Sequence, residues 1–184
     1  MPYAQPAALR RLRMESEFNN IFRCLLFGLV AFAGLVGCQN SADSASARVQ
    51  RVIDGDSIQV NLASQVVEVR LAGIDAPEYR QAYAQRAKQL LSDMVLNREV
   101  VLQQRELDRY GRTIALVIRT SDELVVNAEL IRRGAAWAHP RYAQPGWFLL
   151  EQQARGAKRG LWGSQRPVPP WDWRRDRGTT YSPK

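Results

Sequence analysis

Ile58, Val60 and Leu62 alternate with Ser57, Gln59 and Asn61, and beyond the short turn ASQ, Val67, Val69 and Leu71 alternate with Glu68 and Arg70. An apolar residue at every second position is the period of a strand with one buried face, so this stretch predicts two antiparallel strands resting on a core. Ahead of them the chain reads as a first strand from Arg48, and the DGD segment at 54–56 predicts a turn before the second, with Gly55 supplying the positive φ that tight turns often need. After residue 82 the period changes. Tyr83, Ala87, Leu90, Leu91, Met94 and Val95 recur at helical spacing, with Gln85, Lys88 and Asp93 on the opposite side. Two more strands are predicted at about 99–104 and 112–119, separated by the polar ELDRYG. A short helix follows at 127–133, stopped by Gly134, and another at 147–158, ending near Gly160. Five strands with a helix inserted after the third and helices at the end predict an α+β, mainly β fold. The expected architecture is a five-stranded barrel of the oligonucleotide-binding type with about three helices.

A chain of 184 residues, 46% hydrophobic, can bury one core of ordinary size. Its formal net charge of +8 favours polyanionic partners. Arg10, Arg11, Arg13 and Arg23 precede the apolar run CLLFGLVAFAGLV, which is short for a membrane span and the right size for the apolar region of an export signal. The run ends in LVGC, which resembles a bacterial lipobox. That resemblance implies a signal peptide over 1–37, cleavage before Cys38 and lipidation of its thiol; an uncleaved anchor or an ordinary signal are the alternatives, and both also export the chain. Met14 offers a second start. Cys24 lies within the apolar run, so Cys38 is the one cysteine of the mature chain and no intramolecular disulfide is expected. Residues 38–47 read as a lipidated cysteine and flexible tether, 48–163 as the folded domain, and 164–184 as a Pro/Trp/Arg-rich tail, extended over the surface or mobile. The expected location is the cell envelope, outer membrane or cell surface, and the expected state a monomer.

The chemistry narrows by elimination. The single histidine, His139, and the absence of cysteine beyond Cys38 in the mature chain exclude a zinc site built from those residues, and His139 itself reads as a structural or surface residue. Hard oxygen ligands and guanidinium groups remain in quantity, at strand ends. Asp54 and Asp56 precede one strand, Arg70 lies before Asp75 and Glu78, and Asp108, Arg109, Tyr110 and Arg112 surround Gly111. Gathered carboxylates repel unless a cation holds them, and such oxygens suit Ca²⁺ or Mg²⁺. Two arginines added to such a site grip a phosphate through forked hydrogen bonds, the combination that phosphodiester hydrolysis requires.

Taken in order, IDGDSIQV, VRLAGIDAPE, DRYGR and GLW resemble the staphylococcal nuclease (thermonuclease) domain, over residues 47–162 approximately. The resemblance implies a Ca²⁺-dependent endonuclease acting on DNA and RNA, cutting the P–O5′ bond to leave 3′-phosphate ends. It assigns Asp56 and Asp75 as metal carboxylates, with the backbone carbonyl of Ala76 as a further ligand. It assigns Glu78 as general base or water-orienting group, and Arg70 and Arg112 as the arginines that bind the phosphate. Arg109, Tyr110 and Tyr142 match substrate-binding positions, while Asp54 is expected to support the metal loop from behind. The segment WAHPRY departs from the family's paired tyrosines, which affects base stacking and not the hydrolytic residues. Trp137, Trp147 and Trp162 read as packing residues. The alternative of a different class is a non-catalytic nucleic-acid-binding barrel, and the presence of all five residues Asp56, Asp75, Glu78, Arg70 and Arg112 speaks against it.

Overall fold

The structure, a computed structural model, describes residues 44–176. Strands β1 (Ser44–Val52), β2 (Ser57–Leu62) and β3 (Gln65–Leu71) form an antiparallel meander. Helix α1 (Ala84–Val95) separates it from β5 (Glu99–Leu107) and β6 (Thr113–Arg119). A two-residue strand β4 (Ile74–Asp75) lies between β3 and α1. The sheet runs β3-β2-β1-β5-β6, and β3 closes it by pairing in parallel with β6, Val69 opposite Thr113 and Leu71 opposite Ala115. The result is the expected five-stranded closed barrel. β7 (Leu124–Val125) extends β6 at the edge and leads into α2 (Val126–Arg132); β8 (Trp137–Ala138), α3 (Pro145–Gly156), a 3₁₀ turn (Gly160–Gly163) and α4 (Pro170–Asp176) complete the chain.

The alternation read from the sequence fills the barrel. Ile58, Val60, Val69 and Leu71 are buried with Val49, Val100, Leu102 and Val117, while α1 buries Ala87, Leu91, Met94 and Val95 against the same core. Burying each such branched side chain contributes roughly 1.5–3 kcal/mol. The turn between β2 and β3 is two residues, Ala63 and Ser64, both at positive φ, and so of the kind that matches the twist of the flanking strands.

Three expectations are corrected. The first strand starts at Ser44, so residues 44–47 of the expected tether pair with β5. Gly55 does not have positive φ; its small size matters instead, because a Cβ there would stand 2.7 Å from the Cβ of Ala76 and 3.0 Å from that of Ala87. Among the described residues there are four α-helices. The fourth, α4, lies within the segment expected to be extended or mobile: Pro170 opens it, where a missing N–H costs nothing, and the amides of Asp172 and Trp173 donate to the Pro169 carbonyl at 3.1 and 3.0 Å. The segments 1–37 and 38–43, with Cys38, and the tail end 177–184 lie outside the described residues.

Candidate active site

The segment RLAGIDAPE folds back on itself at one end of the barrel. β3 ends at Leu71, Gly73 turns the chain at positive φ, and β4 then pairs antiparallel with β8, Asp75 opposite Trp137. This return brings Arg70 beside Asp75: its Nη2 donates to Asp75 Oδ1 at 2.9 Å and approaches the Ile74 carbonyl at 3.4 Å. The other end of the same guanidinium pairs with Asp56. Asp56 comes from the DGD turn, because Ser57 stands opposite Arg70 in the β2–β3 ladder and the Leu71 amide donates to the Asp56 carbonyl at 2.8 Å. One arginine thus joins two carboxylates that are far apart in the chain. Asp75 is only 1% exposed and Asp56 4%, so their charges depend on such partners.

The backbone completes the arrangement. Asp56 Oδ2 accepts the Ala76 amide at 2.6 Å and its Oδ1 accepts the Ser57 hydroxyl at 3.2 Å. Asp54 holds the turn from behind, its Oδ1 accepting the Asp56 amide at 3.0 Å. Burial pushes the Asp54 carboxyl above its ordinary range, against the pull of Arg70, of Ser57 and, more weakly, of Arg112. Glu78 is a third of the way exposed and so faces solvent at the mouth. Gln81 fixes its position: the Glu78 amide donates to Gln81 Oε1 at 2.9 Å, and the Gln81 amide donates back to the Glu78 carbonyl at 2.8 Å.

Asp56, Asp75, Ala76, Glu78 and Arg70 therefore meet at one place. Arg112, just before β6, adjoins the site across the parallel β3–β6 pair and is anchored to Asp108, whose Oδ2 takes both Nε at 2.8 Å and Nη2 at 2.7 Å. Burial opposes the charge of Asp108, but the bonds from Arg112 and the backbone outweigh it and hold the carboxyl below its usual range. On the same turn, Arg109 and Arg112 lie 5.3 and 5.7 Å from the ring centre of Tyr110, which is half exposed. Tyr142 is exposed, and its ring centre lies 4.6 Å from that of His139. His139 is within electrostatic reach of Asp75, Arg70 and Arg174; burial first, then the neighbouring arginines, lowers its pKa. Its Nδ1 accepts the Arg141 amide at 3.2 Å, as a neutral imidazole can. Trp137, Trp147 and Trp162 are buried.

Three important residues were not anticipated. Asn127, fully buried, accepts the Val117 amide and donates to the carbonyls of Ala72 and Ala115, tying α2 to β6 and to the turn that precedes β4. Glu151 of α3 accepts the Ala138 amide at 2.7 Å and so supports the strand that holds Asp75. Arg174 of α4 enters the site itself. Its Nη2 lies 2.8 Å from Asp75 Oδ2, and its Nη1 contacts Glu78 and lies 3.3 Å from Asp75 Oδ1. Burial works against its charge, but the hydrogen bonds and attraction of Asp75 and Glu78 prevail and hold it more firmly protonated than usual. An asparagine at the head of a predicted helix and an arginine in a charged tail carry no pattern that marks such roles.

Among the described residues no three carboxylate, histidine or cysteine side chains are disposed as a ready metal cage. The donor chemistry nevertheless fits a hard divalent cation: two buried carboxylates from separate segments are bridged by Arg70, with the Ala76 backbone alongside. Two buried acids, a solvent-facing carboxylate and a forked cation suit the hydrolysis of an anionic ester.

Residues 68–164 match the profile of the staphylococcal nuclease homologue family. The match includes Arg70, Asp75, Glu78 and Arg112, whereas Asp54 and Asp56 precede it and are joined to the site by the geometry above. Protein ParB of Escherichia coli is 42% identical over 162 residues, 83% of this chain and 92% of that protein. A micrococcal nuclease of Shigella flexneri is 39% identical over 137 residues, 69% of this chain and 79% of its own length. A protein of Haemophilus influenzae named as an uncharacterized endonuclease is 37% identical over 149 residues, 80% of this chain and 82% of its own. With its barrel closed as described and more than half its length matched, the chain belongs to the staphylococcal nuclease homologue family.

Proposed function

We propose that this protein is an exported, Ca²⁺-dependent nuclease that cuts DNA and RNA at the P–O5′ bond and leaves 3′-phosphate ends. The coarser statement follows from family membership: the chain is a phosphodiester-hydrolysing enzyme that acts on nucleic acid. What carries the finer reading is the meeting of Asp56, Asp75, Glu78 and Arg70 at one mouth of the barrel.

Asp56 and Asp75 would hold the cation, with the Ala76 carbonyl beside them. When bound, the cation supplies positive charge to a phosphoryl oxygen and offsets the two buried carboxylates. Arg70 and Arg112 offer forked donors to the remaining phosphoryl oxygens, where charge builds as water adds. Glu78, facing solvent, takes a proton from the attacking water; the water oxygen bonds to phosphorus, the P–O5′ bond breaks, and the departing 5′ oxygen takes a proton from solvent water. Tyr110, Tyr142 and Arg109 are exposed and would meet the bases and flanking phosphates; stacking on such rings contributes roughly 1–3 kcal/mol per base in single-strand binders. All these residues come from one chain, in keeping with a monomer.

Cleavage of single-stranded DNA by the full chain, with Ca²⁺ and with chelator, tests the reading. Activity is expected with Ca²⁺ and none above background after chelation, restored when Ca²⁺ returns. Undiminished cleavage after thorough metal removal would defeat the metal assignment. A folded protein that binds the strand without cutting it would be a binding barrel instead.

The export reading rests on LVGC and the apolar run before it. Among the described residues no helix is long and apolar enough to cross a membrane; a lipid on Cys38 is the attachment that the LVGC motif supports. Cys38→Ser is expected to move the protein from the membrane fraction to the soluble one and to remove the lipid mass. An unchanged membrane fraction would refute lipidation at this residue.

A further inference from the structure

Arg174 occupies the carboxylates that the proposed cation requires. Both oxygens of Asp75 face its guanidinium, and Glu78, the group required to take a proton from water, is paired with it as well. A divalent cation at Asp75 would stand next to this guanidinium and be repelled by it.

The segment carrying Arg174 has a definite seat. The Val168 carbonyl accepts Gln81 Nε2, the same side chain that fixes Glu78, and the Trp171 ring stands edge-on to His139 with centres 6.0 Å apart. Trp173 and Val168 line a cavity of about 210 Å³ together with Gln81, Tyr83, Trp137 and Leu161. The seat is partly exposed: Pro170 is the one buried residue of α4, while Trp171 and Trp173 are half-buried, Trp171 against the cluster of Trp137, Leu161 and Trp162. The ion pairs of Arg174 add to this packing, and they are the contacts a competing cation would oppose.

We propose that α4 is an autoinhibitory strap whose Arg174 competes with the divalent cation for Asp75 and Glu78, so that cation binding and strap release are linked. This rests on the metal reading above. Because the linkage is reciprocal, removing the guanidinium must raise cation affinity by the factor by which the closed strap suppresses it. The same segment then sets the Ca²⁺ concentration at which the enzyme becomes active.

Calorimetric titration with Ca²⁺ of the full chain, Arg174→Ala, Arg174→Lys and Asp75→Asn tests the proposal, with thermal melting to confirm folding and cleavage measured across the same Ca²⁺ range. Arg174→Ala is expected to bind Ca²⁺ at least about tenfold more tightly than the wild type, a tenfold change being about 1.4 kcal/mol. Arg174→Lys, which keeps the charge and loses the fork, is expected to fall between them, and Asp75→Asn to lose binding. Cleavage by Arg174→Ala is expected to exceed wild type at low Ca²⁺ and to equal it at saturation. Equal affinities of wild type and Arg174→Ala, with binding still lost in Asp75→Asn, would overturn the strap and leave the metal site standing. No saturable binding by either folded protein would overturn the metal reading and the competition together. Lost cleavage by Arg174→Ala at saturating Ca²⁺ would overturn autoinhibition and make Arg174 a substrate contact.

Discussion

Replacing Glu78 by Gln is expected to lower the rate of cleavage by about 10²–10⁴-fold, the usual contribution of a positioned general base, with little change in melting temperature. The structural reason for the mild effect on folding is that Glu78 is partly exposed, and its backbone is held by Gln81 rather than by its own carboxylate. Pro77 restricts the chain just before it. A glutamine keeps the shape and can still accept a hydrogen bond from Arg174 through its amide oxygen, but it cannot take a proton from water. Steady-state cleavage of an oligonucleotide separates these effects: the loss should fall on kcat, with KM little changed. A purified, folded Glu78→Gln protein with near wild-type turnover would remove Glu78 from the reaction and shift attention to a base outside this loop.

The second large effect is expected at Arg70. Arg70→Lys keeps one positive charge but loses the planar fork that reaches Asp56 with one end and Asp75 with the other. A lysine can serve one of these carboxylates well, not both together with a phosphoryl oxygen. Cleavage is expected to fall by about 10²–10³-fold, the scale of losing a preorganised donor aimed at developing charge. The protein should stay folded but melt lower, because Asp56 and Asp75 are almost fully buried. Arg70→Ala should be worse on both counts, since breaking a buried pair by removing one partner costs about 3–5 kcal/mol. If the cation binds where Asp56 and Asp75 meet, Ca²⁺ should recover part of that stability, which urea melts with and without Ca²⁺ would read. Wild-type cleavage by Arg70→Lys would show that the fork is dispensable.

The two predictions differ in how far they rest on local sequence. Glu78 and Asp75 stand within one short motif, and their proximity to Arg70 follows from a tight return of the chain at Gly73. Asp56 needed more: its place beside Arg70 depends on the β2–β3 register, in which Ser57 faces Arg70. That register follows from the two alternating runs and the short turn between them, which together allow one alignment that buries both apolar faces. Arg112 depended on the parallel closure of β3 on β6, a pairing between distant strands that no local period encodes. Gly55 was read as a turn former, whereas its value is the close approach of Ala76 and Ala87, which becomes visible only when the helix and the turn are packed.

The C-terminal segment marks the limit most sharply. Its prolines and charges were read as an extended or mobile tail, yet Pro170 begins a helix and Arg174 lies on the two acids at the mouth. A seven-residue helix has weak intrinsic stability and forms through what it touches. Here those contacts are Gln81, His139, Asp75 and Glu78, remote in sequence. The same holds for Asn127 and Glu151, which satisfy backbone groups of other elements.

By itself the sequence determined the strands, the first helix, the barrel class and the motif that carries Asp75 and Glu78. These follow from periods and spacings along a few neighbouring residues, and the hydrophobic effect acts on such patterns wherever they occur. Only the tertiary structure decided which strands close the barrel, how Asn127 and Glu151 brace the site, and that Arg174 sits where a cation would bind. Those outcomes depend on charges and backbone groups that meet across long stretches of chain, and their strength is set by a burial that no local pattern records.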